Sequence, residues 1–246
     1  MDISKFLEDG LKKEQDIKVT PPVKPARRKY DEQIVAWFDI LGMREKIKDQ
    51  DNYDAEKILT IMGKFQTYVR NSCDNLDITF MQISDGIILV SEYNNLNEIC
   101  EILCQVQWKV LVHDNMIIRG ALTSGKVTTE KGDPSIIIGP ALIDAFEIES
   151  ENAIFPRIII SYELYKVANF NYITEDSDHF YYLDFLEYII KTEKFNTKKL
   201  LHILRTSKVI NYLKDEYNKF IQKNKRVAQK YGWLIEKLSS KQIKVL

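Results

Sequence analysis

The 246-residue chain is poor in cysteine and in net charge, and each shortage argues against a class of protein. Three cysteines are an odd number and fit no disulfide framework. Cys100 and Cys104 lie four residues apart in a helical pattern without a nearby histidine, which indicates packing rather than a metal site. A formal net charge of -1 provides no global attraction to nucleic acid or to a membrane surface.

Targeting signals, long apolar runs and several catalytic motifs are also missing. The opening MDISKFLEDG is charged from its second residue, which is not typical of a signal peptide. No apolar run approaches the roughly 18 residues of a membrane-spanning helix. The chain has no glycine-rich phosphate loop, and His113, His179 and His202 show no metal or triad spacing. We therefore expect a soluble cytoplasmic protein that binds neither nucleic acid nor a membrane.

Changes in composition predict three segments. Residues 1–31 are polar and include the proline-rich VTPPVKPARRK, which predicts a leader or linker. Residues 32–184 alternate apolar strand-like runs with helical patterns, as one folded domain would. Residues 185–246 are mostly helical in pattern and rich in lysine. This helical extension is expected to pack on the sheet domain or on a partner subunit, with Trp233 docking its last helix.

The order of predicted elements favours an α+β fold. Apolar residues at helical spacing indicate helices near 54–71 and 95–112. DITFMQIS and IILVSEY flank Asp85-Gly86, and Asp-Gly between two apolar runs is a strong hairpin signal. Hairpins mixed with helical crossovers predict a largely antiparallel sheet with helices on one face.

Two acidic residues stand out by their positions. Asp39 ends the apolar strand IVAWFDI, and Asp85 lies at the predicted hairpin turn. Carboxylates brought together there would repel each other unless a cation lay between them, and Mg²⁺ is commonly held by one or two carboxylates plus phosphate oxygens. Taken singly, Asp85 can be a turn residue and Asp39 can cap the following helix. Together they favour a metal site.

Four blocks of the chain resemble class III nucleotide cyclases and come in the family's order. FDILGMREKI resembles the F-x-D-x-x-G-F segment, and ISDGIILVS resembles the hairpin that follows it. IIRGALTSGKV resembles a later strand, and IIGPALIDAFEIE resembles G-x-x-V-N-x-A-x-R-x-E. The resemblance covers roughly residues 32–162. It is closest to the bacterial pyrimidine cyclases of anti-phage signalling, the Pycsar type, and implies a ferredoxin-like, palm-type sheet.

This resemblance implies a site and a reaction. Asp39, Asp85 and the carbonyl of Ile40 would bind two divalent ions, Mg²⁺ or Mn²⁺. Backbone amides that open the following helix would face the triphosphate, and these belong to Leu41, Gly42 and Met43. The implied product is a 3′,5′-cyclic pyrimidine nucleotide, made from UTP in preference to CTP and sensed by a separate effector. A single cyclase domain implies a homodimer.

The chain departs from the family where purine cyclases carry an Asn and an Arg that act on the transition state. Ile143 and Glu147 stand there instead. Arg119, in an apolar strand, is a candidate replacement, although it can equally pair with Glu147 or Asp144. Lys126 is a second candidate cation for the substrate.

Two other functions follow from the same residues. A degenerate cyclase-like fold could bind a nucleotide or a protein partner without turnover, which the loss of the Asn and the Arg motivates. A palm-type enzyme could instead link nucleotides into oligonucleotides.

Overall fold

The computed structural model describes most of the chain, namely residues 29–74, 76–130, 133–170, 172–192 and 197–241. The predicted leader, residues 1–31, falls almost entirely outside the described residues.

Among the described residues, eight strands form one sheet: β1 Asp31–Ile40, β2 Thr79–Ile83, β3 Gly86–Ser91, β4 Ile118–Glu130, β5 Asp133–Ile138, β6 Ile158–Ile160, β7 Ile173–Glu175 and β8 Tyr181–Leu183. Their spatial order is β2-β3-β1-β4-β6-β8-β7, and β5 pairs with β4 off this path. Only the β4–β6 pair is parallel among the described strands. Strand β1 is central, so its side chains are flanked on both sides by neighbouring strands.

Nine α-helices are described: α1 Met43–Lys48, α2 Ala55–Cys73, α3 Leu96–Asp114, α4 Pro140–Glu147, α5 Tyr162–Val167, α6 Phe185–Thr192, α7 Thr197–Thr206, α8 Val209–Ile221 and α9 Lys225–Ser240. A single π-helical turn, Ile148–Asn152, follows α4. The side chain of Asp54 caps α2 by accepting a hydrogen bond from the Lys57 amide at 2.8 Å.

The sheet has a hydrophobic core on each face. Because side chains alternate along a strand, Phe38 and Ile40 of β1 enter the larger core, which α2 and α3 cover. Val35 enters a smaller core on the opposite face, where it packs with Ala141 and Ala145 of α4. The small side chains let α4 approach the sheet closely. The predicted α+β class and mostly antiparallel sheet are confirmed, but α4 lies on the face expected to carry no helix.

The predicted hairpin forms, with its turn one residue earlier than expected. Ser84 and Asp85 make the two-residue turn, and Gly86 is already the first residue of β3. Gly86 is needed there because a methyl group on it would lie 2.4 Å from the Trp37 ring of β1.

The C-terminal helices pack on the sheet within the same chain. Leu200, Val209, Leu213 and Trp233 belong to the larger core together with residues of β1. The docking role predicted for Trp233 is confirmed, since its ring stacks on Phe155 with centroids 5.9 Å apart. Within the described ranges, no helix is long and apolar enough to span a bilayer.

Candidate active site

The end of β1 brings the predicted acidic residues together. Asp39 is paired with Gly86 of β3 on one side and with Arg119 of β4 on the other. Asp85 immediately precedes Gly86, so the hairpin turn places its carboxylate beside the end of β1. Asp39 shares the sheet face of Val35 and Trp37, which is the face that α4 covers in part.

Arg119 holds both carboxylate oxygens of Asp39. Its Nε donates to Asp39 Oδ1 at 3.1 Å, and Nη2 donates to Oδ2 at 3.3 Å. Nη2 also lies 2.6 Å from Oε1 of Glu149, and Nη1 donates to the carbonyl of Ala153 at 3.4 Å. The sequence-based alternative, in which Arg119 pairs with Glu147 or Asp144, is therefore wrong.

Glu149 is a site residue that sequence reasoning missed. It lies in the π-helical turn after α4, only 3% exposed, and accepts a hydrogen bond from Trp37 Nε1 at 3.2 Å. The signal for Glu149 in the sequence was its position beside the apolar Ile148 in the segment FEIES. Trp37 thus orients Glu149, which contacts the same Nη2 of Arg119 that donates to Asp39.

The carboxylates of this site lack sufficient positive charge. Burial raises the pKa of Asp39, the nearby charge of Asp85 raises it further, and Arg119 opposes both. Burial likewise raises the pKa of Glu149, with repulsion from Asp39 and Asp85 and an opposing attraction from Arg119. Arg119 pairs with two of the three neighbouring acids and Lys230 attracts Asp39 more weakly, yet the pKa of Asp39 stays raised, so additional positive charge would be stabilised there.

The residues after β1 are arranged differently from the expectation. The amide of Leu41 donates to the carbonyl of Ile117 at 2.9 Å, so it is not available to a phosphate. Gly42 adopts a left-handed conformation (φ 86°) that favours glycine, and α1 begins at Met43, whose side chain is buried. Ile40 is the last residue of β1 and is paired with Ile118.

Lys126 is not brought to this site within one chain. It is paired with Glu32 at the opposite end of the β1–β4 pair. Seven register positions separate it from Arg119, which at 3.3 Å per residue is about 23 Å. Lys126 and Arg119 therefore cannot contact one phosphate chain in the same subunit.

The donor atoms of this site fit a hard divalent cation. Among the described residues, no group of three or more His, Cys, Asp or Glu side chains is arranged to hold a metal ion. Mg²⁺ in nucleotide enzymes, however, needs one or two carboxylates and takes its other ligands from water and phosphate. Asp39 and Asp85 supply that number of carboxylates, and their unbalanced charge favours a cation. Each oxygen of Asp39 accepts one hydrogen bond from Arg119 and keeps a second lone pair that a cation can use.

Comparison with solved structures finds nucleotide cyclase domains. The monomeric guanylyl cyclase domain of the RhoGC fusion protein from the aquatic fungus Blastocladiella emersonii is 16% identical, with a TM-score of 0.51 over 63% of this chain and 96% of that chain. The catalytic core of a rhodopsin-guanylyl cyclase with converted specificity, in complex with ATPαS, is 15% identical, with a TM-score of 0.52 over 63% and 97%.

A third similar structure is the guanylate cyclase domain of RhGC from Catenaria anguillulae in complex with GTP, 15% identical with a TM-score of 0.50 over 63% and 95% of the two chains. No family model and no curated protein matches the sequence. At these identities the likeness concerns the arrangement of the chain. The protein has the fold of the class III nucleotide cyclase catalytic domain.

Proposed function

We propose that the protein is a nucleotide cyclase that converts a nucleoside triphosphate to its 3′,5′-cyclic nucleotide and pyrophosphate. The observation that carries the proposal is the register of β1, which sets Asp39 between Gly86 and Arg119 with Asp85 beside it. In this cyclase fold, Asp39 and Asp85 provide carboxylate ligands for cations at the end of β1. The guanidinium of Arg119 provides a partner for a phosphate at the same place.

In the proposed reaction, one bond to the α-phosphorus forms and another breaks. The 3′-hydroxyl oxygen bonds to this phosphorus, the bond to the bridging oxygen of the β-phosphate breaks, and the hydroxyl proton passes to solvent. Asp39, Asp85 and the Ile40 carbonyl would hold the divalent ions, Mg²⁺ or Mn²⁺. Such ions, when bound, lower the pKa of the attacking hydroxyl and neutralise phosphate charge.

Arg119 is proposed to stabilise the charge that develops on the α-phosphate. Glu149 and the Ala153 carbonyl hold its guanidinium independently of Asp39. Arg119 would therefore stay at the strand end when Asp39 binds a cation. This supports Arg119 as the replacement for the cation that purine cyclases carry at the position of Glu147. The amides of Gly42 and Met43 remain candidates for contacts with the triphosphate.

The proposed substrate is a pyrimidine nucleotide, with UTP preferred over CTP. Its support is the resemblance of the four sequence blocks to the Pycsar-type cyclases, which also suggests an anti-phage second messenger and a separate cyclic-nucleotide effector. Two of the similar solved structures hold ATPαS and GTP. The decisive experiment must therefore offer purine and pyrimidine nucleotides side by side.

Purified protein is incubated with Mn²⁺ or Mg²⁺ and with ATP, GTP, CTP or UTP separately, and the products are identified by mass spectrometry. We expect cyclic UMP, less cyclic CMP, and no product from the Asp85→Asn variant. A purine cyclic product alone would overturn the pyrimidine preference. Products of dinucleotide mass would identify an oligonucleotide synthase. Calorimetric nucleotide binding without turnover would identify a binding module and overturn the proposal.

We also propose that two copies form a homodimer through the sheet face that carries Asp39. A large apolar side chain is exposed on α4 on this side, where Ile143 is 59% exposed. Phe146 is 52% exposed and contacts Trp37, with ring centroids 5.8 Å apart. An apolar patch of this kind next to a site is typical of a protein interface.

Replacing Ile143 by aspartate is expected to produce monomers and to lower cyclase activity at least about 10-fold, because a charge at an interface core is costly to desolvate. Leu59→Asp is the matched control, since Leu59 is 72% exposed on α2, on the other side of the sheet. Sedimentation measures the mass and thermal melting the stability of both variants. An Ile143→Asp variant with the mass and activity of the wild type would contradict the dimer.

A further inference from the structure

The last described helix, α9, is held firmly against the strands that form the candidate site. Trp233 Nε1 donates to Asp176 Oδ2 at 2.7 Å. One residue later, Leu234 lines a small internal cavity together with Ile117 and Ile118, the two residues that precede Arg119. The position of α9 relative to the start of β4 is thereby fixed.

Lys230 lies one helical turn before Leu234 and therefore on the same face of α9. Its charge interacts with Asp39, with Arg119 and with Glu45 on α1. Helix α9 thus places Lys230 beside the end of β1, the start of β4 and helix α1. This is where the proposed substrate would place its phosphates.

The ammonium of Lys230 has no close anionic partner among the described residues. Its side chain is half-buried, and no carboxylate there is near enough to form an ion pair with it. Burial and the like charge of Arg119 lower the pKa of Lys230, while Glu45 opposes the shift. Arg226, one turn earlier on the same helix, also repels it. A polyanion between these cations would relieve their repulsion.

We propose that Lys230 of α9 binds the phosphate chain of the nucleotide substrate, so that the C-terminal helix completes the site of its own chain. This inference rests on the proposed function. The ligand class is a metal-bound nucleoside triphosphate, with Lys230 donating to oxygens of the β- and γ-phosphates. The phosphates leave as pyrophosphate, which should bind to the same lysine.

The test compares Lys230→Met, Lys230→Arg and Lys225→Met. Lys225 is exposed at the start of α9, so its variant makes the same charge change on the same helix away from the site. We expect Lys230→Met to raise KM for the nucleotide about 10- to 100-fold, with a smaller loss in kcat, because a hydrogen bond to a charged group is removed. Lys230→Arg should stay within a few-fold of the wild type, and Lys225→Met should match it.

Calorimetric binding of inorganic pyrophosphate, in the presence of Mg²⁺, is measured on the same four proteins. Lys230→Met is expected to lose about 10-fold or more in affinity, with an unchanged melting temperature. Unchanged KM and pyrophosphate affinity in an otherwise active enzyme would overturn the inference and leave the proposed function standing. If the wild type makes no cyclic nucleotide, the proposed function fails, and pyrophosphate binding alone decides the role of Lys230. Equal losses in Lys230→Arg and Lys230→Met would also overturn it.

Discussion

Replacing Asp39 by asparagine is expected to lower cyclase activity by about 10³-fold or more without unfolding the protein. Asp39 is the acid through which β1 would hold a catalytic cation, and cation-supported charge stabilisation contributes several kcal/mol to a transition state. The neutral amide removes a negative charge that burial and Asp85 disfavour. The urea midpoint at neutral pH should therefore be equal to or higher than that of the wild type.

The matched control is Asp31→Asn, which makes the same change at the exposed, opposite end of β1. It should leave the reaction rate unchanged. Calorimetry with Mn²⁺ provides a readout that does not depend on turnover, and Asp39→Asn should lose most of the Mn²⁺ affinity that Asp31→Asn keeps. An active Asp39→Asn variant, or one that binds Mn²⁺ as the wild type does, would remove Asp39 from the site.

Replacing Asp176 by alanine is expected to destabilise the fold by about 3–5 kcal/mol, the usual cost of breaking a buried ion pair. Asp176 lies next to Arg157, which is 0% exposed, with Nη1 and Oδ2 2.5 Å apart. It also accepts hydrogen bonds from Trp233 at 2.7 Å and from Lys237 at 2.9 Å, both on α9. Alanine would leave these donors without this acceptor in the interior.

Urea unfolding followed by tryptophan fluorescence measures the loss, and Asp215→Ala, an exposed aspartate on α8, is the control that should show none. Burial would raise the pKa of Asp176, but Lys237, the Ser177 amide and Trp233 together lower it below 3.8. The charged carboxylate therefore stabilises the fold above pH 3.8, and this contribution is lost as the pH falls through the lowered value. The difference between variant and wild type should shrink in acid. A loss under about 1 kcal/mol at pH 7 would contradict this account.

Because Asp176 holds α9 in place, the Asp176→Ala variant also tests whether the position of this helix brings Lys230 to the site. A loosened helix should raise KM for the nucleotide in the same direction as Lys230→Met does. Unfolding of part of the population would lower the apparent kcat in proportion to the folded fraction, which fluorescence measures separately, and would leave KM unchanged.

The proximity of Asp39 and Asp85 could be predicted from local sequence patterns. An apolar run that ends in one acid and a hairpin with an acidic turn both depend on residues close in sequence. The partner of Arg119 could not be predicted, because it depends on the register of β1 and β4, which sets residues 80 positions apart side by side. The short strands β7 and β8, three residues each, carry too little periodicity to be detected.

Helix placement shows the same limit. The alanines of α4 at positions 141 and 145 mark a close packing face, but nothing local says which side of the sheet they contact. Lys230 stands in a segment with many lysines, and only the packing of Trp233 and Leu234 separates it from the others.

The location of α9 has a consequence for biosynthesis. Asp39 and Lys230 are about 190 residues apart in sequence, and the carboxylate emerges from the ribosome long before the lysine. A nascent or C-terminally clipped chain that lacks α9 would expose Ile117 and Ile118 and leave Asp176 without the donors Trp233 and Lys237. Such a fragment could bind cations but would hold triphosphate weakly. If Lys230 binds the triphosphate as proposed, synthesis of a cyclic nucleotide would begin only after α9 has been translated.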